Sequence, residues 1–261
     1  MADKLISIDL KARMGCLKKP DINEGIYLTF NMLHKPALLG ILGAILGLKG
    51  YQRKGEFPEY YRKLKDLQIG IEPLNSEKGS FTKTVIKYNN AVGYASQEAG
   101  GILNVTEQTL IRPEFRCYLL LDENNLLHSQ LISLLENEQA NYLPYLGKNE
   151  YSVWWDNFTE YQYKAFEFDQ DYQIQSIFKK SDQVIKDLIK QKTFTLGMSG
   201  GLSQKGILFE RLPVGFHEKL KQYIYEEFLY TKSSFKPERK LEKLYQINKD
   251  EKSLSDVIQL F

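Results

Sequence analysis

Cationic side chains recur along this chain beside aromatic or glycine residues. Lys11, Arg13, Lys18 and Lys19 lie close together near its start, and Lys35 follows. Lys83 and Lys87 alternate with Val85 and lead into Tyr88, with Tyr94 a little further on. Gly147 and Lys148 precede Asn149. Ammonium and guanidinium groups on phosphates, with planar rings stacked on bases, are how a flexible sugar-phosphate chain is held. Gly93, Gly100 and Gly101 would let backbone pass close to such a chain. The amides of 147–149 and the Lys148 cation suit a phosphate. Each group also has a plainer reading: a basic run as solvated surface, 147–149 as an ordinary tight turn. Tyr145 and Tyr151 read as core or interface aromatics rather than stacking platforms.

Other chemistries find less support. The chain has no GxxxxGK[ST] phosphate loop, no GxSxG elbow and no HExxH pair, and its carboxylates form no metal-binding run. Gly197-Met-Ser-Gly-Gly is only faintly like a phosphate cradle and reads as a hairpin. Cys16 and Cys117 are far apart and outside any CxxC or Cys/His cluster, so neither zinc nor any other cofactor is indicated. Metal-free RNA cleavage needs a base and an acid, which histidine supplies near neutral pH. Of His34, His128 and His217, only His34, with Lys35 and Tyr51, forms a plausible catalytic set; His128 reads as a surface residue.

The net charge of 261 residues is only +2, so cations that meet RNA must form local patches offset by acidic surface. A hydrophobic fraction of 43% with 26% charged residues supports one globular unit or two small domains. The N-terminus lacks a signal pattern, and the two lone thiols suit a reducing cytoplasm. The most apolar stretch, 36–48, is shorter than the roughly 20 residues of a membrane span. It reads as a buried helix, and no membrane association is expected.

The elements that would position these residues follow from periodicity. Alternation over 4–13 predicts a first strand, followed by a basic loop and a short extended piece over 26–33. Pro36 opens a helix running to about Leu48. Gly40, Gly43 and Gly47 share one face of it, which suits tight packing on a sheet or a backbone cradle for phosphate. Residues 51–65 read as a loop or short helix. Strands are predicted over 67–74, 81–88 and 105–121, the last broken at Pro113. The stretch 89–101 has no period and reads as the loop of an extended hairpin. Leucines at helical spacing predict a helix over 125–138, then a turn over 142–151 and a strand from Val153. Residues 181–190 read as a short helix, 194–209 as a glycine-rich hairpin, 216–230 as an amphipathic helix, and the charged tail from Lys232 as exposed.

Three segments together carry a family resemblance. They are Lys35-Pro-Ala-Leu-Leu-Gly-Ile-Leu-Gly-Ala-Ile-Leu-Gly after the basic loop, Arg112-Pro-Glu-Phe-Arg-Cys-Tyr-Leu-Leu-Leu, and Tyr145-Leu-Gly-Lys-Asn-Glu-Tyr. Their order and spacing resemble the crRNA-handle-binding Cas family (family five of the RAMP superfamily), well over 1–160 and loosely beyond. The resemblance implies an α+β chain: a ferredoxin-like, RRM-like domain over 1–160 with an inserted β-hairpin thumb at about 75–110. A smaller β-rich region over 161–261 would follow. It implies a non-catalytic, cytoplasmic subunit of a type I CRISPR Cascade complex in antiviral defence, with the sequence variant leaning toward type I-B. The implied partners are the crRNA 5′ handle, the adjacent backbone subunit and the large subunit, with target DNA met only through the complex. The basic loop and thumb residues above would then hold the handle, the thumb wedging between nucleotides and displacing one base. A standard RRM ribonucleoprotein motif is absent, so RNA is not expected across the sheet. Two other readings stand beside this one. One is a metal-independent crRNA-processing endoribonuclease, although that branch carries a Lys-His pair where this chain has 112–116 without histidine. The other is a protein-only assembly subunit.

Overall fold

The computed structural model describes residues 3–21, 25–76, 78–90, 103–181, 206–248 and 255–261. The fold is mixed α/β with mainly strands. Ten residues, buried on both faces from Leu5 to Leu10, form β1 (Asp3–Ala12), at the centre of a six-stranded antiparallel sheet. β6 (Glu114–Asp122) and β7 (Val153–Ala165) flank it, and β3 (Gln68–Pro73) lies outside β6. Beyond β7 come β11 (Leu244–Asn248) and β12 (Asp256–Gln259), giving the order β12-β11-β7-β1-β6-β3.

Leu260 and Phe261 continue from β12 to the opposite edge. Phe261 N donates to Ile69 O at 2.8 Å, and Ile69 N to Phe261 O at 3.2 Å. The sheet therefore curls until its edges meet. Leu5, Tyr118, Tyr161, Ile247, Ile258 and Leu260 pack together on the enclosed face. A buried polar network shares that face: Arg116 Nε and Nη2 donate to Asp9 at 2.7 and 2.9 Å, and Tyr118 OH to Glu72 at 2.8 Å. The other face carries Ile6, Ile8 and Leu10 against α1 (Lys35–Leu46) and α3 (Leu126–Glu136) in the main core.

The caps of α1 show why it stands where it does. His34 has extended backbone and accepts the Ala37 amide on Nδ1, Pro36 occupies the first turn, and Gly47 ends the helix at φ 75°. Proline in the first turn and glycine just past the end are favoured there, and the His34 ring does the N-capping that a Ser, Thr, Asp or Asn side chain more often does. Its glycines do not face the sheet. A Cβ on Gly43 would stand 2.4 Å from Tyr60 Cβ, so that glycine admits α2 (Glu59–Leu64). Gly47 abuts Asn141, and Gly40 faces open space, its nearest neighbour being the Tyr60 ring at 3.9 Å.

The span 105–121, broken at Pro113, proves to be two strands in two sheets. β5 (Leu103–Ile111) pairs with β4 (Lys83–Asn90) and with β2 (Met14–Gly15) in a three-stranded sheet. Chain passes between the sheets at one corner, where Arg112 N donates to Arg13 O and Ala12 N to Pro113 O. Arg112 takes the left-handed φ of 48° there, an unfavourable conformation for a side-chain-bearing residue that the two backbone bonds of the corner hold in place.

Two expectations are corrected. Part of 216–230 is not helical: β10 (Tyr223–Thr231) pairs with β9 (Ile207–Phe216) and β8 (Phe178–Lys179). Its run of aromatic and branched residues favours a strand over a helix, and β9 takes Pro213 at an irregular edge position. Nor is the tail beyond Lys232 exposed throughout, because Val257, Ile258, Leu260 and Phe261 are buried. Position 160 falls within β7, and β11 and β12 join the same sheet as β1. The helix expected over 181–190, except for Ser181, lies outside the described residues, as does the glycine-rich hairpin expected over 194–209 up to position 205; its last residues, from Ile207, begin β9. Among the described residues, no helix is long and apolar enough to cross a membrane.

Candidate nucleic-acid interface

A groove of about 760 Å³ runs along α1. Its floor is the small-residue side of the helix, Ala37, Gly40 and Ala44. Two loops form its walls, each tied down by backbone bonds. Tyr142 N and Asn141 N donate to the Ala44 and Ile45 carbonyls at 3.1 and 3.0 Å. These are orphan acceptors at the C-terminal end of α1, so satisfying them sets the 142–147 wall beside the helix. Opposite, Lys49 N donates to Glu59 Oε2 and Glu59 N to Lys49 O, fixing 48–52 to α2. The tip of the β9–β10 hairpin closes one end, where Tyr61 OH accepts the Phe216 amide at 2.7 Å.

Tyrosines crowd this groove. Tyr51, Tyr142 and Tyr145 are 63%, 59% and 45% exposed at its mouth. Tyr60 and Tyr223 lie deeper, and burial raises the pKa of both hydroxyls, keeping them neutral donors. His34 sits at the inner end, edge-on to Phe30 and Tyr223. Burial lowers its pKa to about 3, so at neutral pH it is an uncharged ring. With Nδ1 accepting Ala37 N, its proton is on Nε2. Lys18 and Lys49 also line the groove. Exposed aromatic faces with nearby cations are the elements of a single-strand binding surface.

The turn at 145–151 connects the groove to the β4–β5 pair. Cys16 N donates to Leu146 O, and Gly147, at φ 85°, lies so close to Cys16 O that a Cβ would stand 1.8 Å from it. No residue but glycine fits. Next to it, Lys148 Nζ donates to Glu107 Oε2 at 2.5 Å and to Tyr88 OH at 2.8 Å. Tyr151 OH donates to Glu107 Oε1 at 3.1 Å. Burial opposes the Lys148 charge, but these bonds outweigh it and raise its pKa. Glu107 is fully enclosed, so this cluster locks the base of the hairpin to the 145–151 turn.

The residues singled out by sequence therefore separate into groups. Lys18 and Gly147 line the groove, with Lys18 Nζ 3.5 Å over the Tyr27 ring. Lys148 and Tyr88 adjoin it through the Glu107 cluster. Lys19 and Lys83 gather elsewhere: Lys19 meets Glu210 at 3.4 Å, and Lys83 donates to Asn31 Oδ1 at 3.0 Å. Lys87 and Arg13 are exposed on β4 and at the sheet corner. Lys11 is engaged by Asp156 at 2.7 Å. Lys35 requires a correction: it is buried, its Nζ donates to Phe261 O at 3.1 Å, and burial lowers its pKa to about 8. Its ammonium is used inside the fold. Tyr94 and the glycines at 93, 100 and 101 lie outside the described residues.

Tyr51, Tyr60, Tyr142 and Tyr223 were not singled out as binding residues, and Tyr145 is no core residue. The available signal was position: Tyr51 and Tyr142 each follow shortly after a helix end, where side chains are displayed rather than packed.

No family model and no curated protein sequence matches the chain. Among solved structures it is similar to a chain of a "CRISPR RNA-guided surveillance complex", at 11% identity and TM-score 0.47, covering 87% of this chain and 90% of that one. It is also similar to a CRISPR protein from Archaeoglobus fulgidus, at 12% identity and TM-score 0.46, covering 97% of each. A third similarity is to a chain of the Type III-B Cmr-beta complex bound to cognate target RNA, at 8% identity and TM-score 0.41, covering 88% and 84%.

Proposed function

We propose that this chain is a non-catalytic subunit of a type I CRISPR surveillance complex that holds the 5′ handle of the crRNA. The observation that carries the reading is the groove: exposed tyrosines around a small-residue floor, with Lys18 and Lys49 lining it, next to the root of a β-hairpin. Single-stranded RNA is bound by this combination of stacking and cations. The sequence resemblance over 1–160 supplies the identity of the RNA.

In this reading, β7-β1-β6-β3 with α1 and α3 in the crossovers form a ferredoxin-like domain, and β4–β5 form the thumb. The subunit contacts the adjacent backbone and large subunits, in the cytoplasm and most closely after type I-B. The thumb wedges between handle nucleotides. RNA stays off the sheet, since the face opposite the helices is enclosed by the curl that ends at Phe261.

The non-catalytic reading is supported by the state of His34, Lys35 and Tyr51. His34 is a helix cap with its pKa lowered to about 3, and Lys35 is turned to Phe261 instead of the groove. A base or acid near neutral pH needs a pKa near the working pH. The test is electrophoretic: incubate the purified chain with synthetic repeat RNA in EDTA. A stable complex with intact RNA, weakened by Lys18→Glu and Lys87→Glu, is expected. Specific cleavage lost in His34→Asn would overturn the non-catalytic assignment, and absence of any complex would overturn the RNA assignment.

A further inference from the structure

The inner end of the α1 groove is more than a charged surface. His34 is only 5% exposed, yet it lines the groove, and its neutral ring has the proton on Nε2 because Nδ1 accepts the Ala37 amide. The Tyr60 and Tyr223 side chains also line the groove. His34, Tyr60 and Tyr223 thus border one space, walled by aromatic rings and floored by Gly40. At about 760 Å³, it falls within the roughly 300–1,000 Å³ typical of small-ligand sites. A phosphate fits this inner end poorly: Lys35 points to Phe261, Lys18 is over Tyr27, and Lys49 belongs to the wall tied to Glu59. A flat, neutral ring with acceptor atoms on its edge fits it well.

We propose that the groove takes up one unstacked nucleobase of a single-stranded RNA, with an edge acceptor toward His34 Nε2 and the flanking phosphate toward Lys18. This rests on the reading above that the chain binds RNA, and it adds the place where a base is taken out of the strand. A donor-only imidazole favours a base whose reachable edge presents a carbonyl oxygen, such as uracil or guanine.

Gly40 provides the test. A Cβ there meets nothing closer than the Tyr60 ring at 3.9 Å, and leucine favours a helix more than glycine does. Gly40→Leu therefore fills the groove while the helix stands. The probes are the RNA octamer of uridine and an octamer of the same sugar-phosphate chain without bases. The wild-type chain is expected to bind the uridine octamer about tenfold more tightly than the abasic one, within the range of base stacking. Gly40→Leu should abolish that difference while the chain still binds the abasic octamer and melts no lower than the wild type. His34→Asn keeps a side-chain cap but removes the Nε2 donor, and it should shrink the preference several-fold. Equal wild-type affinity for both octamers, or a Gly40→Leu variant that weakens both alike, would overturn the base site while RNA binding stands. No binding of either octamer would overturn RNA binding as well.

Discussion

A Cβ added to Gly43 would stand 2.4 Å from Tyr60 Cβ. This contact sets α1 against α2 and, through Tyr60, one wall of the groove. Gly40, one turn earlier on the same helix, has no such neighbour. The two glycines should respond oppositely to the same change. Gly43→Ala forces a shift of Tyr60 and is expected to cost about 1–3 kcal/mol, as overpacked sites do. Gly40→Ala is expected to gain up to about 1 kcal/mol from helix propensity alone. Urea unfolding of the two variants checks both signs.

Lys148 and Glu107 set the hairpin root. Lys148→Met leaves an enclosed carboxylate with only tyrosine hydroxyl partners. Because Lys148 itself remains 28% exposed, the expected loss lies below that of a fully buried pair, at about 2 kcal/mol. Double replacement with Glu107→Gln should recover part of it. A thermal melt of the single and double variants reads the coupling.

His34 gives the fold a dependence on acid. Its pKa is about 3 in the folded chain and about 6.5 unfolded. Between those values the unfolded state binds more protons, so stability falls as pH falls from 6.5 toward 3. The slope from this group is at most about 1.4 kcal/mol per pH unit. His34→Asn, which retains a cap, should flatten the stability profile across that window. Denaturant midpoints of both chains between pH 4 and 7 measure it.

The lysines should divide by location. Lys18→Glu and Lys87→Glu, at exposed positions, are expected to weaken RNA binding about tenfold each at low salt and to lower the salt slope. Lys35→Met, at a buried position bonded to Phe261, is expected to leave affinity unchanged. It should raise stability near neutral pH, where the folded chain holds a costly buried ammonium. Its folded pKa of about 8 lies below the unfolded value near 10.5, so the destabilisation it removes shrinks as pH rises through that window. Fluorescence anisotropy and urea melts separate the two effects.

Local signals made α1 legible. The proline at its start, the glycine at its end and an unbroken apolar run fix its limits, and its structural range, Lys35–Leu46, departs little from 36–48. Strands β1, β3 and β4 and helix α3 were legible for the same reason, each having a clear period. β10 was misread because its apolar residues also fit a helical face, and only pairing with β9 selects the strand. β11 and β12 were hidden by the charged residues around them. Their burial depends on the curl that brings Phe261 to Ile69, which no local pattern announces. Of the cations that line the groove, Lys18 was singled out from the basic loop, whereas Lys49 was not. The tyrosines were not, because Tyr51 and Tyr142 come to line one groove only through the bonds that Asn141 and Tyr142 make to the end of α1.

The central claim is tested most directly by photocrosslinking. The purified chain is mixed with a repeat RNA octamer carrying 4-thiouridine at each position in turn, irradiated, digested and read by mass spectrometry. Crosslinks to Tyr51, Tyr142, Tyr145 and the peptide containing Lys18 are the expected result. Crosslinks confined to the β8–β10–β9 sheet away from α1, or none at any position, would contradict it.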